Sequence, residues 1–170
     1  MSMISVIGIA KETAVDGIGL RASLYGAGCP HACNGCHNPQ SWDINNGTWF
    51  SVQDIFDRLN IAGNVLLSGI TFSGGEPMSQ PGAFCELAQM VKTIPNRDVW
   101  CYTGYLFEDL ISNRDEKYEL LTQVDVLVDG KYISELRDIT LAFRGSSNQR
   151  IIDVKESLKQ NTVVEHVEYY

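Results

Sequence analysis

Strand-like and helix-like segments alternate along this chain, and that alternation restricts its fold more than any other feature. MSMISVIGIA and LRASLYGAG are short apolar stretches of strand type. VQDIFDRLNI follows with Val52, Ile55, Phe56 and Leu59 at i, i+3, i+4 and i+7, an amphipathic helix with Ser51 as its N-cap. NVLLSGITFSGG is a largely apolar strand ending on paired glycines. GAFCELAQMVKTI repeats the helical period through Phe84, Leu87, Ala88 and Val91, and Pro95 with Asn96 stops it. DVWCYTG, VDVLVDG and QRIIDV read as three further strands, and the segments around LFEDLIS, YELLTQ and ISELRD are long enough for crossover helices. This order predicts an α/β fold with a mostly parallel sheet of about five to six strands and a site at the strands' C-terminal ends.

No repeat, low-complexity tract or linker interrupts the pattern, so residues 1–170 read as a single domain, long enough to bury a core. The hydrophobic fraction of 44% and charged fraction of 20% are those of an ordinary globular protein, and no apolar run is long enough to span a bilayer. The N-terminal stretch has no basic residue ahead of its apolar run, which makes it a first strand rather than a signal peptide. A cytoplasmic location and no membrane partner are the expectation. Thirteen Lys+Arg against 21 Asp+Glu, a net charge of -8 and no basic stripe argue against nucleic-acid binding.

Three of the five cysteines crowd into GAGCPHACNGCHNP, as Cys29, Cys33 and Cys36. An odd number, three of them clustered, argues for metal or redox chemistry over a disulfide framework. Cys85 and Cys101 stand alone in apolar stretches and read as buried small hydrophobes. Three thiolates can hold a metal centre and leave one position open, the mark of a reacting site. A 4Fe-4S cluster normally takes four cysteines, so one held by three would expose an iron. Spacing alone also allows zinc, with His31 or His37 as fourth ligand. FSGGEP places two glycines and a carboxylate at a strand end, where backbone can approach a small ligand closely; taken alone it is also compatible with a plain turn. Both motifs fall at strand C-terminal ends and are predicted to face one pocket.

The cysteine motif followed by GGEP resembles the radical S-adenosylmethionine superfamily. GCPHACNGCHNPQSWD, FSGGEP, WCYTGY, VDVLVDGKY and FRGSSNQRIIDV are similar to the activating proteins of glycyl-radical enzymes, and within them to the activases of anaerobic (class III) ribonucleotide reductase, from about Gly17 to Val154. The resemblance implies that Cys29, Cys33 and Cys36 each ligate one iron of a 4Fe-4S cluster, with S-adenosylmethionine chelating the fourth. Gly74, Gly75 and Glu76 would line the methionine end, and Gly35 and His37 would sit against the adenine. The wider superfamily usually has an aromatic where Gly35 stands, so aromatic packing on the base would fall to His37. Thr103, Asp129 and the set Arg144, Ser146 and Asn148 end or follow later strands; they would contact ribose or carboxylate, or serve as turn bonds and helix caps.

A full (β/α)8 barrel takes roughly 200 residues or more. The resemblance therefore implies an incomplete (β/α) barrel, whose open side admits a backbone loop of a glycyl-radical enzyme. It also implies an external one-electron donor such as a flavodoxin. The cofactor would be cleaved reductively, and hydrogen abstraction would leave a radical on a partner glycine. A pyruvate formate-lyase-type activase and a non-catalytic zinc module are the alternatives. Trp42 and Trp49 bracket the turn DINNGT and are expected to pack against the cysteine loop, and His166 to lie on the surface. The acidic tail VVEHVEYY reads as either strand or disordered.

Overall fold

The computed structural model describes residues 2–166. The elements run β1 (Met3–Thr13), β2 (Leu20–Gly26), β3 (Thr48–Ser51), α1 (Val52–Leu59), β4 (Leu67–Gly74), α2 (Pro81–Lys92), β5 (Asp98–Tyr102), α3 (Phe107–Asn113), α4 (Glu116–Gln123), β6 (Val126–Asp129), β7 (Arg150–Asp153) and α5 (Val154–Gln160). Seven strands form one open sheet in the order β3-β1-β2-β4-β5-β6-β7. The central β2, β4, β5 and β6 are parallel, while β1 is antiparallel to β2 and β3, and β7 is antiparallel to β6.

The α/β expectation holds for the centre, and the flanks differ from it. The sheet is mixed and open, with β3 and β7 as its outermost strands, so an incomplete barrel is not what the strand order itself establishes. Antiparallel neighbours need no crossover helix. That is why ISELRD forms only a 3-10 turn at Ser134–Leu136 between β6 and β7. Two elements escaped the sequence reading. β3 is a four-residue strand immediately followed by the Ser51 cap of α1, and α5 begins where β7 ends, because the Asp153 side chain accepts from Glu156 N at 2.9 Å and starts a helix. The tail's described part runs beside β7, with His166 N donating to Ile151 O at 2.9 Å, and its remainder lies outside the described residues. The His166 side chain is half-buried, with Nε2 3.8 Å from Asp153 Oδ2, rather than the surface residue expected.

Helix α1 forms as its period demands: Asp54 N donates to Ser51 Oγ at 3.1 Å, Val52, Ile55 and Leu59 are buried, and Asn60 ends it with φ 48°. Its apolar stripe joins Phe84, Leu87, Ala88 and Val91 of α2 and Leu120 and Leu121 of α4 against one face of the sheet. That face presents Ala22, Leu24, Ile70, Phe72, Val99, Cys101 and Leu127. Full burial of each such Leu or Phe contributes about 1.5–3 kcal/mol. Cys85 and Cys101 are buried in this core, as their apolar surroundings suggested.

The period of two sends the alternate residues to the other face. There Trp100, Val126, Val128 and Ile151 form a small separate cluster with Tyr102 and Phe143. Arg21, wholly buried near the start of β2, ties it to the middle of β4 and the start of β5: Nε donates to Thr71 Oγ1 at 2.8 Å and Nη2 to Ile70 O at 2.9 Å and Asp98 Oδ1 at 2.5 Å. A paired cation closes the N-terminal end of this face and leaves the C-terminal end open for a site. No described helix is long and apolar enough to cross a membrane.

Candidate functional site

The cysteine loop leaves β2 at Gly26 and is sewn to its neighbours by backbone bonds. Ala27 N donates to Ser5 O at 2.9 Å, Gly28 N to Ser41 O at 2.8 Å and Cys29 N to Trp42 O at 3.0 Å. Trp42 thus holds the loop through its carbonyl. Trp42 itself is 37% exposed, and Trp49, on edge strand β3, 48%. Cys29, Cys33 and Cys36 are free and half-buried, and all three line one cavity of about 1020 Å³. Burial first, and the Glu76 carboxylate second, push the Cys29 thiol above its ordinary value against the opposing backbone N–H of His31 and Ala32. A bound cation reverses that balance, because coordination deprotonates a thiol outright.

The glycine turn meets this loop directly. Gly75 N donates to Gly26 O and Glu76 N to Gly28 O, both at 2.8 Å. Gly74 has φ +92°, and a Cβ there would lie 2.6 Å from Gly26 N. A Cβ on Gly75 would lie 2.6 Å from Gly28 O and 2.9 Å from Ser41 O. Both glycines line the cavity, yet the close approach they permit is that of the cysteine loop's own backbone. The sequence had suggested a ligand in that place.

Glu76 is 1% exposed and lies behind the cavity wall. Its Oε1 accepts from Met78 N and Thr103 Oγ1, both at 2.9 Å, and its Oε2 accepts from Gly104 N at 2.8 Å. His31 Nε2 lies 2.6 Å from the same Oε2, and its ring packs edge-on to Tyr105 with centroids 4.7 Å apart. One buried carboxylate therefore ties the cysteine loop, the end of β4 and the end of β5 together. The hub also engages His31, one of the two histidines that could have served as a zinc site's fourth ligand. Among the described residues, no three His, Cys, Asp or Glu side chains converge on a single-ion site.

The remaining expected contacts divide. Thr103, 5% exposed, reaches the cavity while donating to Glu76. Gly35, with φ +75°, and the exposed His37 line it beside Cys36. Arg144 lines it too, donating to Gln149 O at 3.3 Å. Asp129 is wholly buried and does not reach the wall: it accepts from Arg150 Nε at 2.9 Å, from Arg150 Nη2 at 2.5 Å and from Phe107 N at 2.8 Å at the start of α3. Ser146 accepts from Ile133 N at 3.2 Å and Asn148 donates to Lys131 O at 2.8 Å, the turn-bond role weighed for them.

The sequence reading missed Asp16, Tyr25, Ser73, Tyr102, Lys131 and Tyr132, which also line the cavity. Tyr25 and Ser73 are paired in register across β2 and β4. The signal was there in LRASLYG, where Arg21, Ser23 and Tyr25 alternate with apolar residues and mark a polar sheet face. Tyr25 donates its hydroxyl to Asp16 Oδ2 at 2.5 Å, and burial first, then Asp16, pushes its pKa up to about 12.

Three half-buried free thiols from one loop, opening on a cavity of this size without a fourth cysteine, fit a metal cluster held at three corners. A family model described as a 4Fe-4S single cluster domain matches residues 15–152. The anaerobic ribonucleoside-triphosphate reductase-activating protein of Vibrio cholerae is 40% identical over 81% of this chain and 90% of its own. Its namesake from Enterobacteria phage T4 is 36% identical over 81% and 86%, and that of Escherichia coli K12 is 37% identical over 79% and 89%. With a family-model match that runs through the cysteine loop, the glycine turn and the later strands, and relatives at 36–40% identity over most of both chains, the chain belongs to the family of anaerobic ribonucleoside-triphosphate reductase-activating proteins.

Proposed function

We propose that this protein activates anaerobic ribonucleotide reductase by generating a glycyl radical on it, using a 4Fe-4S cluster and S-adenosylmethionine. The observation that carries the reading is the placement of Cys29, Cys33 and Cys36 on the wall of one cavity, at the C-terminal ends of parallel strands. The three thiolates would hold the cluster. When bound, it supplies one electron to the sulfonium of the cofactor, and the radical chemistry so started removes a hydrogen atom from a glycine of the partner.

This chain's residues would bind, orient and shield. The backbone at Gly74 and Gly75 would border the amino-acid end of the cofactor while holding the cysteine loop in place. Glu76 would act through the loop and strand ends it clamps, not by contact. Gly35 and His37 would border the base and Thr103 the ribose. Asp129 would act indirectly, fixing Arg150 and the start of α3. Lys131, Arg137 and Arg144 line the same cavity and suit an anionic carboxylate. None of these steps calls for a general acid or base; the work is positioning and exclusion of water. The cavity lies on the sheet face without packed helices, which gives a partner's backbone loop a way in. An external one-electron donor, flavodoxin being one of suitable chemistry, and a cytoplasmic setting complete the proposal.

Protein purified without oxygen is expected to carry about four irons and four sulfides per chain. One zinc with no iron would contradict the reading and favour a metal-binding module without catalysis.

A further inference from the structure

The two edges of the Tyr132 ring run past two glycines. A Cβ on Gly35 would lie 3.5 Å from ring atom Cε1, and a Cβ on Gly145 3.1 Å from Cδ2 on the opposite side of the ring. The residues on either side of Tyr132 are pinned. Gln149 Nε2 donates to Gly130 O at 3.0 Å, Asn148 Nδ2 to Lys131 O at 2.8 Å and Ile133 N to Ser146 Oγ at 3.2 Å. Gln149 is itself fixed, its Oε1 accepting from Gly145 N at 2.9 Å and Ser146 N at 3.2 Å. The RGSSNQR stretch is thus a frame around residues 130–133. What it frames is a half-buried aromatic ring on the cavity wall, beside Gly35, Cys36 and His37.

We propose that Tyr132 is a binding residue for the planar heteroaromatic base of the cofactor. The proposal rests on the placement of S-adenosylmethionine in this cavity. A half-buried ring whose flanking backbone is pinned at Gly130, Lys131 and Ile133 has little freedom left to lose, so stacking a flat base on it costs little ordering entropy. Cation-lined walls suit carboxylate and ribose, whereas a π surface suits a base of any hydrogen-bonding pattern. The same geometry suits glycine at 145, where a Cβ 3.1 Å from the ring would press on it, while at Gly35 a Cβ would only touch the ring in ordinary contact.

The test is equilibrium binding to the oxidised, cluster-loaded protein without reductant, so that no turnover occurs. Three probes separate the parts: S-adenosylmethionine, methionine with only the chelating end, and 5'-deoxyadenosine with only the nucleoside. Tyr132→Leu keeps bulk in the slot and removes the π surface; Tyr132→Phe keeps both. Tyr132→Leu should weaken S-adenosylmethionine and 5'-deoxyadenosine about five- to 150-fold. Methionine affinity and iron content should stay as in the wild type, and Tyr132→Phe should match wild type with all three probes. Unchanged S-adenosylmethionine affinity in Tyr132→Leu would overturn the proposal. So would equal weakening of methionine, or loss of iron, either of which makes the ring a prop for the cysteine loop. A wild-type protein that holds its cluster and binds no S-adenosylmethionine removes the cofactor reading and Tyr132's role with it.

Discussion

Cys33→Ala is expected to yield a folded protein that retains no stable cluster and has no activase activity, and Cys29→Ala and Cys36→Ala should do the same. Two thiolates cannot hold a cluster that needs at least three, and no other cysteine can move into the gap. Cys85 sits on α2 and Cys101 on β5, both within the helix-side core, and burial holds the Cys101 thiol well above its ordinary value. Such thiols behave as small hydrophobes. Cys85→Ser and Cys101→Ser should therefore keep full iron content and lose only stability, the second by about 1–3 kcal/mol as a hydroxyl enters apolar surroundings. Iron analysis beside a thermal melt reads both effects. Retained iron in Cys33→Ala, or its loss in a stably folded Cys85→Ser, contradicts the assignment.

Gly75→Val is expected to remove iron and cofactor binding together. Had the glycine only made room for the cofactor, valine would block binding and leave the cluster untouched. The contacts say otherwise, because the added Cβ would meet Gly28 O at 2.6 Å and Ser41 O at 2.9 Å, both backbone atoms of the segment that presents Cys29. Rigid backbone cannot swing aside as a side chain can. Overpacking of this kind costs about 1–3 kcal/mol or more, and here relief comes by pushing the cysteine loop off β4. Iron content and S-adenosylmethionine affinity should fall in parallel, with the far-ultraviolet spectrum of the sheet and helices preserved. Full iron with affinity lost would return Gly75 to the simpler role of cofactor contact.

How far the chain announced its own structure depends on which interactions set each feature. Helix α1 was readable from Ser51 and four apolar positions because cap and stripe are local. The parallel centre was readable from apolar strands alternating with helices. Antiparallel β7 was not, since strand direction is set by a connection whose ISELRD segment looks helical and closes as a single turn. In the site, the three cysteines stood out by spacing alone. The role of Glu76 did not: a carboxylate after two glycines looks like a ligand contact, and only the fold brings Thr103, Gly104 and His31 onto it. Asp129 misled for the same reason, its partner Arg150 lying 21 residues away in sequence. Tyr132 was invisible until Gly35 and Gly145, far apart in the chain, came together around its ring.

The central claim is that this protein places a radical on a glycine of anaerobic ribonucleotide reductase, and electron paramagnetic resonance on the mixed proteins tests it most directly. With S-adenosylmethionine and a reductant under anaerobic conditions, the reductase should acquire a glycyl signal split into a doublet by the remaining α-hydrogen. Reductase grown with α-deuterated glycine should lose that splitting, and deuterium should appear in the 5'-deoxyadenosine released. Cofactor cleavage that leaves the reductase without a radical, yet puts one on a pyruvate formate-lyase, would contradict the account.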